Sequence, residues 1–414
     1  MKAQLLPLYM YTLCRNLVFA YVIERLFWES RSMSVQDVVV VEIIFVILVF
    51  ALEIPAGILA DRVSRITLLM VAALAQAVEF AIIMVATRFM HFALAISVAA
   101  VGEVLVSGTF NAFVYEELSA EGRLAEFRRQ LGRLRAFDSA VLVVALGAGG
   151  FLSEVLGMEL LYAAGATGGL LAAVSLVGLR ERRPVRSSSV RSESESLTSG
   201  DLAPSGPTVV VDEPALSLLE IVKQSLRAIT TTPALLPPLI AGVVVAGSIT
   251  YLDEFAVLHL RDSGLPVWSF GVIAAAVYLL HGAGSLLGER LSGIARRRGF
   301  YLALTLTMLI IQSLFGFISI LLGIPLLLFT YLLWGAFEVL MLCEVHDAAE
   351  SAFRATAESI VSQFQQLSTI AFGIVFGWLA ARAAVGPAIS LTAAIAFLAY
   401  LGVSSVLAAR QRDV

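Results

Sequence analysis

The sequence has 414 residues, 59% of them hydrophobic and only 14% charged, with a formal net charge of −4. That is too apolar for a soluble globular domain, and the slightly acidic balance offers no basic surface for nucleic acid. Runs of about 20 apolar residues recur, the length that crosses about 30 Å of hydrocarbon, whereas the short alternating segments of a closed β-barrel are absent.

The first run, from Leu5 to Trp28, is long enough to be a span rather than a cleavable signal peptide. Five more spans are expected at Val38–Ala60, Ile66–Thr87, Phe92–Tyr115, Ala136–Leu156 and Leu160–Leu179. A polar segment follows. Its centre, Ser187 to Gly200, is rich in serine and glutamate and reads as disordered. Its end, Ala215–Ile229, places Leu216, Leu219, Val222, Leu226 and Ile229 at helical spacing, the pattern of a helix lying on a membrane face. The second set of spans is expected at Ala234–Leu260, Trp268–Gly288, Tyr301–Leu322, Pro325–His346, Ile360–Ala383 and Ala388–Ala409. The organisation is therefore an N-terminal six-helix unit over 1–180, a linker over 181–232 and a C-terminal six-helix unit over 233–414. Lys2, Arg62, Arg65, the Arg123–Arg135 and Arg180–Arg191 clusters, Arg296–Arg298 and Arg354 fall on one side, which predicts cytoplasmic termini. Cys14 and Cys343, the only cysteines, fall inside spans and read as reduced core residues.

Between spans two and three stands Glu53-Ile-Pro55-Ala-Gly57-Ile-Leu-Ala-Asp61-Arg62-Val-Ser-Arg65. Gly57 is expected to let a neighbouring helix come close, and Asp61 and the arginines to pair at the helix ends. This stretch resembles the signature loop of the major facilitator superfamily, with Ser64 and Ile66 departing from the usual residues. Glu53-x-Pro55-x-Gly57 is similar to a branch of drug or metabolite exporters. Ser107-Gly108-Thr109 leading through Tyr115-Glu116-Glu117 to Gly122-Arg123, and Arg354-Ala-Thr356-x-x-Ser359, resemble the same branch. Gly147-Ala-Gly149-Gly150 in span five is similar to the glycine-rich motif of the family's antiporters, without its proline. The resemblance implies an all-α membrane protein of twelve transmembrane helices in two pseudo-symmetric six-helix bundles. It also implies alternating access, with Gly57, Asp61, Arg62, Arg65 and Arg354 as conformational-gate residues. Glu103-Val-Leu in span four and Glu338-Val-Leu in span ten fit an internal repeat of that kind.

Ionisable groups within spans are costly and mark transport paths. The resemblance implies a cavity lined by spans one, four, seven and ten, which selects Arg15, Glu24, Glu103, Asp253, Glu254 and Glu338. His281, mid-span and titrating near neutrality, joins them as a candidate for pH coupling. Glu103 is the first choice for binding and releasing a proton, with Glu338 second by the repeat. Arg15 reads as a counter-ion to Glu103. Glu24-Arg25 is close enough to the end of span one to snorkel to the interface. Asp138, Glu344 and His346 read as locks between helices, and Glu42 and Glu79 stay unassigned.

No phosphate-binding Gly-x-x-x-x-Gly-Lys-[Ser/Thr] loop occurs, so ATP is not the expected energy source. Nor do four scattered histidines make a zinc site. The expectation is a monomeric, multi-pass inner (plasma) membrane protein, not an enzyme, without a cofactor, whose partners are a small-molecule substrate, protons and the bilayer. It would export a small amphipathic or cationic compound against protons. The alternatives are import or facilitated diffusion of a metabolite or metal ion, and a non-transporting receptor or scaffold on the same fold.

Overall fold

A computed structural model describes residues 2–107, 109–123, 126–179, 236–295, 299–348 and 354–410. The linker and its expected surface helix lie outside the described residues. Among the described residues there is no strand, and each of the twelve expected spans coincides with a helix or a broken pair of helices.

Span one is the broken one. It comprises α1 (Lys2–Asn16), a 3₁₀ turn (Phe19–Ile23) and α2 (Glu24–Ser30). Spans two and three are α3 (Val35–Arg62) and α4 (Arg65–Val85). Span four divides into α5 (Phe89–Val106) and α6 (Thr109–Ala120). Spans five and six are α7 (Phe127–Leu156) and α8 (Met158–Ser175), joined through Gly157 at φ 86°. The second unit runs α9 (Leu236–Asp262), α10 (Val267–Ala295), α11 (Phe300–Phe315), α12 (Ile320–Ala348), α13 (Arg354–Ala380) and α14 (Val385–Arg410). Among the described residues, ten segments are long and apolar enough to cross a membrane. Of the other two, α11 is shorter, and α13 carries Gln363, Gln365 and Gln366.

Local chemistry sets several of these boundaries. Span two opens on a capping box. Ser34 Oγ accepts from the Asp37 amide (3.1 Å) and the Asp37 carboxylate from the Ser34 amide (3.0 Å), satisfying two donors that the first turn leaves free. Span five is entered through Glu126, whose carboxylate accepts from Arg123 Nε (2.9 Å) and Nη2 (2.6 Å) and from Arg129 Nη2 (2.9 Å). The Arg123 and Arg129 bonds, with a longer one from Gln130, hold its pKa down at about 2. Because the folded value is depressed, this contribution to stability is present above the unfolded carboxylate range, about 4.3, and is lost as pH falls through about 2. Glu126→Gln is therefore expected to melt lower than the parent at pH 7, with the gap closing between about pH 4 and pH 2. Thermal unfolding of the two proteins across that range checks it.

Packing is close enough for backbones to touch. Phe27 and Tyr162 rings lie 4.5 Å apart and Trp28 and Phe92 rings 4.9 Å apart, tying span one to spans six and four. In the second unit Phe255 and Phe376 rings are 4.6 Å apart. Spans eight and ten meet glycine against carbonyl in both directions: Gly284 faces the Leu332 carbonyl and Gly335 the His281 carbonyl.

Backbone-to-backbone contact between the two units lies on the side opposite the termini. Gly150 of span five lies under the Val267 and Trp268 carbonyls, and Gly271 of span eight under the Leu146 and Gly147 carbonyls. The Trp268 amide donates to Glu154 (3.1 Å), and Arg261 pairs with Glu29. Gly57 departs from expectation: a Cβ there would meet no heavy atom within 4 Å. No helix crowds it in this conformation.

Candidate functional site

The break in span one organises the site. Val18 adopts an extended backbone (φ −104°, ψ 96°) between α1 and the 3₁₀ turn. The carbonyls on either side find close neighbours. Gln76 Nε2 donates to the Arg15 carbonyl (2.8 Å), Gly168 packs on the Cys14 carbonyl, and Gly149 packs on the Phe19 carbonyl. Interrupted helices beside a midplane cavity are a recurrent way to present charged groups inside a membrane. Here the break aims Arg15 and Glu24–Arg25 inward.

Two cavities lie one above the other along the bundle. The first, about 660 Å³, is walled by spans one to five and reaches from Tyr11, Asn111 and Arg135 on the termini side to Glu24, Arg25 and Glu254. The second, about 320 Å³, lies on the far side between the units, against Leu146, Val257, Leu260, Phe270, Ile273 and Val277. Both share Tyr21, Glu24, Arg25 and Glu254, so these four side chains form the partition.

The first cavity is acidic. Glu24, Glu42, Glu79, Glu103, Asp138 and Glu254 face Arg15, Arg25 and Arg135. Arg15 Nη2 donates to Glu103 Oε2 (3.3 Å), and Asn16 Nδ2 to Asp138 Oδ1 (2.5 Å). Arg25 Nε donates to Glu254 Oε2 (3.0 Å), and its Nη2 reaches both Glu254 and Glu42. Two carboxylates are left over. Glu24 comes no nearer than 3.8 Å to Arg25 Nη1, and Glu79 has no hydrogen bond or ion pair among the described residues. No group of three or more metal-ligating side chains occurs among those residues.

Several residues sit differently from their expected places. Arg25 does not snorkel: it is 4% exposed, because the broken helix turns it towards Glu42 and Glu254. Glu42 and Glu79, left unassigned from sequence, both line the first cavity. Their signal was present in the spacing, since Ala72, Gln76 and Glu79 share one helical face and so do Glu42 and Phe45. Asp138, read as a lock, also lines this cavity. Conversely, Glu338 and His281 line neither cavity. His281 Nε2 and Glu338 Oε2 are 2.7 Å apart, which draws both towards the contact between spans eight and ten. Asp253 lines the second cavity only and accepts from Tyr331 Oη (2.6 Å).

Of the expected gate residues, Arg65 donates to Glu116 at 2.8 and 2.5 Å and so fastens span three to the end of span four within one unit. Arg62 is exposed. The side chains of Asp61 and Arg354 lie outside the described residues. A residue that sequence reasoning passed over joins the units on the termini side: Gln363 Nε2 of span eleven donates to Glu53 Oε2 of span two (3.2 Å).

A family model described as Major Facilitator Superfamily matches residues 8–373. Comparison with curated proteins finds no match. Among solved structures, a bacterial homologue of the human lysosomal transporter Spinster, inward-facing and unoccupied, is 17% identical. It superposes with a TM-score of 0.65 over 98% of this chain and 95% of its own. The nucleoside transporter NupG is 13% identical, with a TM-score of 0.67 over 98% and 97% of the two chains. A D-xylose–proton symporter is 14% identical, with a TM-score of 0.64 over 95% and 94%.

Proposed function

The chain belongs to the major facilitator superfamily, and from that premise we propose that it is a secondary transporter exporting a small amphipathic or cationic compound in exchange for protons. The observation that supports this reading is the charge of the first cavity. Carboxylates outnumber guanidiniums two to one there, and the two carboxylates without a close partner, Glu24 and Glu79, stand at its deep end. A positively charged solute gains from such a wall, and a proton competes with it. The termini side is cytoplasmic on the distribution of Lys and Arg, so the first cavity receives its solute from the cytoplasm while the far side is closed.

Glu103 is the proton-coupling residue in this scheme. Paired with Arg15 and exposed to the cavity, its carboxylate gains a proton from the far side and gives it up to the cytoplasm as the two conformations alternate. Glu338, paired with His281, is a second candidate. In vesicles, exchange of one proton per solute sustains up to about tenfold accumulation per unit of imposed pH gradient. Glu103→Gln is expected to abolish that dependence while leaving solute counterflow intact. Gradient-driven flux unchanged in the variant removes Glu103 from the mechanism.

A second reading has its own support. Tyr11, Thr12, Asn16, Gln76 and Asn111 also line the first cavity, and Tyr11 Oη has no hydrogen-bond partner among the described residues. Neutral hydrogen-bonding groups of this kind suit import or facilitated diffusion of a hydroxylated metabolite. Uptake of labelled nucleosides or sugars without a proton gradient separates this reading from export.

A further inference from the structure

The partition between the cavities is made of the parts of a cation-binding site, and one of this chain's own residues occupies it. The Arg25 guanidinium bridges carboxylates from both units, Glu42 on span two and Glu254 on span seven. Its Cζ lies 4.8 Å from the Trp28 ring centroid and 5.9 Å from that of Phe255. Both rings are fully buried. Two carboxylates within an aromatic cage form a favourable seat for a desolvated organic cation. The fit of the present occupant is incomplete, because Arg25 Nη1 is buried without a hydrogen-bond partner among the described residues, and an unmet buried donor is costly. Other charges near the seat do not fill that gap. Glu24 is 3.8 Å from Nη1, and Asp253 is held on the far side of span seven by Tyr331.

We propose that Arg25 is a resident stand-in for the positively charged group of the solute. The seat formed by Glu42, Glu254, Trp28 and Phe255 is the cation site of the transport path. A solute drawn to Glu24 and Glu79 displaces the guanidinium from it. Displacement does two things together. It passes the cation from the first cavity to the threshold of the second, and it releases span one from span seven, the bond that joins the units at mid-depth. Specificity for organic cations then follows from competition: a neutral solute cannot take over the carboxylates and leaves the units joined. This inference rests on reading the first cavity as the solute path.

Binding to the purified full-length protein tests it, with tetraphenylphosphonium as the probe and equilibrium dialysis as the measurement. If Arg25 fills the seat most of the time, apparent affinity is reduced by the fraction of time the seat is empty. Arg25→Gln is therefore expected to bind the probe about tenfold more tightly than the parent. Adding Glu254→Gln to Arg25→Gln should reverse that gain. Arg25→Lys, a compact charge without the planar fork, holds the two carboxylates less well and should tighten binding by a smaller factor. It decides the question if Arg25→Gln does not fold. A purely structural arginine predicts the opposite pattern: lower thermal stability in both variants and affinity unchanged or weakened, which overturns the proposal. No probe binding in any variant also overturns it, yet leaves proton-driven flux of another solute class standing on its own measurement.

Discussion

Gly335→Val is expected to destabilise the second unit strongly. A Cβ at this position would run into the His281 carbonyl and lie 3.0 Å from the Ser285 amide nitrogen. The obstacle is backbone on a packed helix, so no side chain can rotate away. On the facing helix Gly284 and Gly288 meet the Leu332 and Ala336 carbonyls in the same manner, so spans eight and ten cannot part at one point without losing the contact along their length. Forcing the three carbons of an isopropyl group into such an interface costs about 3 kcal/mol or more. Gly402 is the control, with no heavy atom within 4 Å of a Cβ, and Gly402→Val should change stability by less than about 0.5 kcal/mol. Thermal unfolding in detergent, followed by the loss of the monodisperse peak, compares the three proteins. Equal melting temperatures for Gly335→Val and the parent would show that the helices are not packed this closely.

Much of the architecture was legible because the membrane constrains it so strongly. A run of apolar residues has one stable solution in hydrocarbon, a helix, and Val38–Ala60 is accordingly matched by Val35–Arg62, with Ser34 and Asp37 setting the start. The interruption of span one was not legible. Leu17, Val18 and Phe19 are apolar and carry no glycine or proline, while Pro7 sits inside an unbroken α1. Tertiary contacts hold the break, through Gln76 on the Arg15 carbonyl and glycines of spans five and six on its flanks. That hidden break explains the misplacement of Arg25. On a continuous helix it would lie near the interface, whereas after a 3₁₀ turn it points between the units. The importance of Glu42 and Glu79 was obscured by the expectation that only four spans line the cavity. The repeat of Glu-Val-Leu linked Glu103 to Glu338, but sequence repeats do not fix neighbours: one carboxylate faces a cavity beside Arg15 and the other a histidine on span eight.

Gly271→Val creates a clash of the same kind in an interface of a different sort, and the expected result differs accordingly. A Cβ on Gly271 would press on the Leu146 carbonyl and lie 2.9 Å from the Gly147 carbonyl oxygen, with Gly150 meeting Val267 and Trp268 one turn away. This seam joins the two units, and no helix pair within either unit depends on it. The units can relieve the strain by separating on the far side, a movement that the proposed transport cycle requires. The protein should therefore fold, with its melting temperature near that of the parent. About 3 kcal/mol of strain confined to one of two conformations shifts their equilibrium by more than about 100-fold. The population should move from the state with the first cavity open on the termini side towards one open on the far side. Exchange flux in liposomes should fall by a similar factor, since each cycle must return through the disfavoured state. In a background lacking Cys14 and Cys343, a cysteine at Val257, which lines the second cavity, should react faster with an impermeant maleimide. Flux at the parental rate with unchanged labelling would mean that the seam never opens during turnover, and that rocking of the two units about the Arg25 partition is not how this chain moves its solute.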